Sequence, residues 1–160
     1  MNADRKVAVV TGASQGLGEG IVNAFRERNY RVVGTSRSIN TSDDPDYVTI
    51  AGDIGDPATG RKVIETALAR FGRVDTLVNN AGIFIASEFT KYSDQQYKDM
   101  LSTNLNGFFY ITQHTVEAML KQGSGLMPPL ISVERCTEKK NRETGSGFLK
   151  RLDMASLAFE

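Results

Sequence analysis

Thr11-Gly12-Ala13-Ser14-Gln15-Gly16-Leu17-Gly18 stands between a short apolar run, Val7-Ala8-Val9-Val10, and a segment in which Leu17, Ile21, Ala24 and Phe25 fall on one helical face. Strand, glycine turn and helix in that order form the arrangement that cradles the pyrophosphate of a dinucleotide. A helix N-terminus carries unpaired backbone N–H groups and a partial positive charge. An anion reaches them only where no side chain blocks the backbone. Gly12 then supplies the tight turn, Gly16 lets the phosphates approach, and Gly18 lets the helix pack closely on the strand. The spacing is Gly-x-x-x-Gly-x-Gly, a departure from the commoner Gly-x-Gly-x-x-Gly.

Outward from this stretch, the chain reads as alternating strands and helices. Arg31 to Ser36 is a β-branched run and the expected second strand, and Tyr47 to Ala51 the third. Asp56-Pro57 opens a helix, with aspartate as N-cap and proline at the first helical position. Its apolar face is Val63, Ile64, Ala67, Leu68 and Phe71, and Gly72 ends it. Asp75 to Asn79 is the fourth strand. Ser93 and Gln96 have capping-box spacing and open a helix to about Thr103. A longer helix follows, with Leu105, Phe108, Phe109, Val116, Met119 and Leu120 at helical spacing, and Gly123-Ser124-Gly125 stops it. This alternation predicts an α/β protein with a doubly wound parallel sheet covered on both faces.

The bulk properties narrow the function. The 160 residues suffice for one domain with a real core, and the formal net charge is zero. A nucleic-acid binder normally shows a basic face, so no nucleic-acid partner is expected. No apolar run approaches the ~20 residues that span a bilayer, so no membrane partner is expected either. The single cysteine, Cys136, excludes an internal disulfide and fits a reducing compartment. The start of the chain leads straight into the first strand and leaves no room for a signal peptide. A cytoplasmic location is the expectation. His114 has no second histidine or cysteine at metal spacing, so no metal site is expected.

In four places the sequence resembles the short-chain dehydrogenase/reductase family. These are the Thr11 to Gly18 stretch, Asp53 in Gly52-Asp53-Ile54, the run Asn79-Asn80-Ala81-Gly82, and Asn104 in Asn104-Leu105-Asn106-Gly107. The resemblance covers about residues 4 to 125. It implies a Rossmann-like fold over 1–125, incomplete on its C-terminal side, with 126–160 as a divergent tail. It also implies roles. The loop of Gly12, Ser14, Gln15, Gly16, Leu17 and Gly18 would hold the pyrophosphate, while Asp53 and Ile54 would contact the adenine. Asn80, Ala81 and Gly82 would line the nicotinamide ribose side and brace the sheet. Asn104 would position a water for proton relay. Without the other motifs, Asp53 also reads as a surface turn carboxylate and Asn104 as an amide at a helix junction.

Arg37 bears on the choice of cofactor. A carboxylate at the end of the second strand binds the ribose hydroxyls of NAD and repels a 2′-phosphate. Here Thr35-Ser36-Arg37-Ser38 offers hydroxyls and a guanidinium, which matches phosphate geometry. NADP is therefore expected over NAD.

The resemblance fades after Gly125. The family's acid–base tyrosine is followed four residues later by a lysine that lowers its pKa. None of the five tyrosines here has that lysine. Leu130 to Val133 reads as a fifth strand, and Ser132 falls where a substrate-orienting serine would stand. Pro128-Pro129, however, intrudes where the strand should begin. From Glu134 to Thr144, seven of eleven residues are charged. Phe148, Leu152, Ala155 and Phe159 then have the spacing of a terminal helix. Two readings stay open. One is an NADP-binding oxidoreductase for a small carbonyl or alcohol substrate, impaired because Tyr-x-x-x-Lys is absent. The other is a non-catalytic nucleotide-binding or interaction protein on the same fold. In either, the Leu105 to Leu120 helix is a candidate surface for a homo-oligomer.

Overall fold

The computed structural model describes residues 5–127 and 157–158. Val7–Thr11 forms β1, and every one of its residues is buried. Such a run, apolar without alternation, is what a strand covered on both faces requires. β1 pairs in parallel with β2 (Arg31–Ser36) on one side and with β4 (Thr76–Val78) on the other. β3 (Tyr47–Ala51) pairs in parallel with β2. With β5 at Leu126–Met127 and β6 at Leu157–Ala158, the sheet order among the described residues is β3-β2-β1-β4-β5-β6. The order reverses at β1, so the C-terminal edge beside Thr11 is a topological switch point, where open α/β sheets bind ligands.

The helices form where the sequence provides starts and stops. α1 (Gly16–Glu27) packs Ile21 and Val22 on one face of the sheet, against Ala8, Val10, Val32 and Val78. α2 (Pro57–Phe71) and α4 (Gly107–Gln122) cover the other face, around Val9, Val33, Val63, Leu77 and Ile111. The Asp56 carboxylate caps α2 by accepting from Ala58 N, and Gly72 closes it in the left-handed conformation, at φ 79°. α3 (Asp94–Leu101) begins with a complete capping box between Ser93 and Gln96.

Four details depart from the sequence reading. Leu17 does not join the buried face of α1; it is 40% exposed, and Val22 takes its place in the core. α3 and α4 are not separate helices. Ser102–Asn106 joins them as a π-turn, closed by Gly107 N–H donating to the Ser102 carbonyl. A short strand that the sequence reading did not foresee, β5, is Leu126–Met127, parallel to β4. Gly123, at φ 74°, ends α4, and Gly125 lies tight against Met119, which brings the chain straight back to the sheet. Where spacing predicted a terminal helix, Leu157–Ala158 forms β6, pairing antiparallel with Met127 and Leu126. Backbone pairing to the edge strand decides that stretch, and apolar spacing alone could not foretell it. Ser132, the Leu130 to Val133 run, Cys136 and the remainder of the expected terminal helix lie outside the described residues.

The crossover from β2 to β3, residues 37–46, contains no helix. Ile39 and Tyr47 instead pack against the α1 side of the sheet. An ideal Cβ on Gly34 would lie 2.8 Å from the Tyr47 hydroxyl, so a bare glycine in β2 is what lets this ring lie across the strand. Burial pushes the Tyr47 phenol pKa up, and Glu19 adds to the shift.

Candidate functional site

The ends of β1, β2, β3 and β4 and the first turn of α1 enclose an open cleft of about 300 Å³. Gly12, Ser14, Gln15, Leu17 and Gly18 line one wall. Thr35, Ser36, Arg37 and Ser38 line the end beyond β2. Gly52, Asp53 and Ile54 lie under β3, and Asn80, Ala81, Gly82, Ile83 and Thr103 close the side beyond β4. The cleft thus gathers almost every residue singled out for nucleotide binding. Gly16 stands at its rim as the first residue of α1.

Each loop glycine has its own local reason. Gly12 and Gly16 have φ of +66° and +58°, which side chains of L-residues rarely adopt. Nothing lies within 4 Å of an ideal Cβ on Gly16, so its demand is conformational and its space is open to a ligand. An ideal Cβ on Gly18 would lie 2.0 Å from the Gly12 carbonyl oxygen, so helix and loop approach too closely for any side chain. Gln15, the N-cap of α1, is extended and makes no side-chain cap bond. The first amides of α1 therefore lack the side-chain partner that usually satisfies them.

The loop is tied to β4 by Thr11 and Asn80. The buried Thr11 hydroxyl accepts from Asn80 N (3.0 Å) and Ala81 N (2.9 Å) and donates to the Val78 carbonyl. The Asn80 side-chain amide donates to the Thr11 and Gly12 carbonyls at 3.0 and 3.2 Å. Its polar hydrogens therefore face the loop and brace it. The sequence reading gave the Thr11 hydroxyl no role.

Asp53 is exposed, and one of its carboxylate oxygens accepts from Gly55 N at 2.9 Å. Among the described residues Arg37 has no ion-pair or hydrogen-bond partner. Its guanidinium stands at the cleft with all its donors available to a ligand.

Asn104 sits in the π-turn, beside the main cleft rather than in its lining. It faces a small pocket shared with Thr11, Ile54, Asn79, Thr103 and Phe108. Its side chain accepts from Ile83 N at 2.8 Å and donates to the Ile83 carbonyl at 2.9 Å. Both polar ends of the amide are engaged, so the side chain acts first as a clamp between the turn and the loop after β4. Ile83 and Thr103 were not foreseen as site residues, because nothing local in the sequence marks either one.

Fold and cleft define a class, that of doubly wound α/β proteins with a glycine-loop cleft at the switch point of the sheet. Within that class, the family described as short chain dehydrogenase matches residues 6–134. The chain belongs to the short-chain dehydrogenase/reductase family. It is 36% identical over 139 residues to the 3-oxoacyl-(acyl-carrier-protein) reductase FabG of Escherichia coli, covering 83% of this chain and 57% of that protein. It is 31% identical over 132 residues to the 2-dehydro-3-deoxy-D-gluconate 5-dehydrogenase of Dickeya dadantii, covering 78% and 52%. A short-chain dehydrogenase from Streptomyces avermitilis superposes with a TM-score of 0.71 at 32% identity, covering 78% of this chain and 48% of that one. ElxO with NADP bound gives a TM-score of 0.71 at 26% identity, covering 77% and 54%. The chain thus spans about half the length of the relatives it matches. Among the described residues no helix is long and apolar enough to cross a membrane, and no three His, Cys, Asp or Glu residues cluster as a metal site.

Proposed function

We propose that the chain binds NADP(H) in this cleft, as the nucleotide-binding part of an oxidoreductase that interconverts a small carbonyl compound and its alcohol. The observation that carries the reading is the pairing of two unsatisfied features along one cleft. One is the α1 N-terminus, without a side-chain cap and with open space at Gly16. The other is the Arg37 guanidinium, unpartnered among the described residues and set among the hydroxyls of Thr35, Ser36 and Ser38. The first suits a pyrophosphate and the second a 2′-phosphate. The relative ElxO, whose structure holds NADP, supports the same choice.

In this reading Gly12, Ser14, Gln15, Gly16, Leu17 and Gly18 hold the pyrophosphate. Asp53 and Ile54 meet the adenine, and Asn80, Ala81 and Gly82 flank the nicotinamide ribose. Bound NADPH supplies the hydride. The chain's own residues bind, orient and shield it. Asn104 fixes the turn beside the reacting end. Ser132 is the candidate for orienting a substrate oxygen. No Tyr-x-x-x-Lys occurs in the 160 residues, so a proton donor of suitable pKa is missing from this chain. These 160 residues are expected to bind nucleotide but to turn over carbonyl substrates poorly. Leu105 in the π-turn and Phe109 and Leu120 on α4 are exposed, and a self-association surface there accords with so much uncovered apolar area. A single cysteine and this fold suit the cytoplasm.

The test is purified chain with NADPH and a panel of aldehydes and ketones, beside a binding titration. Binding with turnover far below the ordinary ~10 s⁻¹ is expected. Turnover near that rate would mean that an unrecognised group donates the proton. Absence of binding would remove the nucleotide reading altogether.

A further inference from the structure

We propose that Gly55 and Ser102 are positioning residues that couple the adenine end of the cleft to Asn104, an inference that rests on the nucleotide reading above. The π-turn at Ser102–Asn106 is wedged between two loops that both line the cleft. On one side it interlocks with the loop after β3 through two glycines. An ideal Cβ on Gly55 would lie 2.3 Å from Ser102 Oγ and 3.0 Å from the Ser102 carbonyl oxygen. Reciprocally, an ideal Cβ on Gly107 would lie 2.6 Å from Ile54 Cγ2. On the other side, Asn104 is bonded twice to the Ile83 backbone.

The Ser102 carbonyl stands at the centre of this contact. It accepts the Gly107 N–H that closes the π-turn, and it faces Gly55. A π-turn holds one extra residue in the helix and depends on such a bond for its shape. Contacts as close as those of Gly55 with Ser102 and of Gly107 with Ile54 pass displacement on rather than absorb it. Whatever fixes Asp53, Ile54 and Gly55 therefore also fixes Ser102, and through the turn the Asn104 clamp on Ile83. An adenosine phosphate seated at Asp53 and Ile54 orders the loop in advance, so the nicotinamide half binds with less ordering left to do. The coupling is reciprocal.

The experiment uses the full 160-residue chain and two probes, adenosine 2′,5′-bisphosphate and nicotinamide mononucleotide. Nitrogen–proton correlation spectra are recorded as the bisphosphate is added. Signals of Gly16 and Arg37 should shift, and those of Ile83 N–H and the Asn104 side-chain amide should shift with the same midpoint. The bisphosphate should tighten binding of the mononucleotide about fivefold, the low end of ordinary coupling between sites. Gly55→Ala should keep most of its bisphosphate affinity but lose the Ile83 response and the fivefold effect. Should Gly55→Ala fold poorly, Asn104→Ala gives an independent check: Ser102 and Gly107 should still respond while Ile83 falls silent. A bisphosphate that binds without moving Ile83 or Asn104 would overturn the coupling and leave the nucleotide reading standing. A response that survives in Gly55→Ala would also overturn it. A bisphosphate that does not bind would overturn both.

Discussion

Three alanine substitutions in one turn of chain should differ in both sign and size. Gly20 lies inside α1, with nothing within 4 Å of an ideal Cβ. Gly20→Ala should therefore stabilise by roughly 0.5–1 kcal/mol, the helix preference of alanine over glycine. Gly16 has the same open space, but its φ is +58°. Gly16→Ala should cost about 1–2 kcal/mol for a left-handed backbone. Gly18 has ordinary helical φ, but its Cβ would lie 2.0 Å from the Gly12 carbonyl oxygen and 2.7 Å from Asn80 Nδ2. Loop and helix would have to part by more than an ångström, stretching the Asn80 bonds to Thr11 and Gly12. Overpacking at about 1–3 kcal/mol, with one or two weakened hydrogen bonds at about 1 kcal/mol each, gives roughly 3 kcal/mol. Urea unfolding of the three variants measures the stability order, and NADPH titration of each should show the largest loss at Gly18→Ala. If Gly18→Ala were no less stable than Gly16→Ala, the close approach of loop and helix would not be what glycine serves there.

Other outcomes follow from the same contacts. Thr11→Val keeps the shape but removes the acceptor shared by Asn80 N and Ala81 N, and should destabilise by about 2–4 kcal/mol in thermal unfolding. The Tyr47 phenol has a raised pKa in the fold, so its share of stability is whole below about pH 10 and declines as pH rises through the folded value. Tyr47→Phe should flatten that alkaline limb of a stability–pH curve. Asp44 is held below the ordinary carboxylate value by its hydrogen bond from Arg26, so its share is present above that value and lost as pH falls through the folded pKa. Asp44→Asn should flatten the acid limb. The chain should self-associate at high concentration in sedimentation runs, and Phe109→Glu should shift it towards monomer.

What the sequence conveyed, it conveyed through local chemistry. Asp56-Pro57 and Gly72 bound α2 because capping and left-handed glycine act within a few residues. The capping box at Ser93 and Gln96 is local in the same way. The buried run of β1 announced a central strand, and the glycine loop marked one wall of the cleft. The π-turn was not legible, because its cause is distant: Asn104 bonds Ile83 across 21 residues, and Gly55 and Gly107 make room for contacts across the fold. Leu17 misled because apolar spacing does not distinguish a core face from the wall of a cleft. β5 at Leu126–Met127 was not legible, because a two-residue strand needs only backbone pairing and no β-branched run. The Thr11 hydroxyl carries the same lesson, since its partners lie 69 and 70 residues away.

The central claim is that this cleft is built for a dinucleotide bearing a 2′-phosphate. Calorimetric titration of the purified chain with NADPH and with NADH, at one fixed salt concentration, tests it most directly, with Arg37→Asp measured alongside. A charge-assisted contact to the phosphate contributes about 1.5–3 kcal/mol, so NADPH should bind about tenfold or more tightly than NADH. Arg37→Asp should reverse that order. Equal affinities unchanged by the substitution, or no binding of either nucleotide, would contradict it.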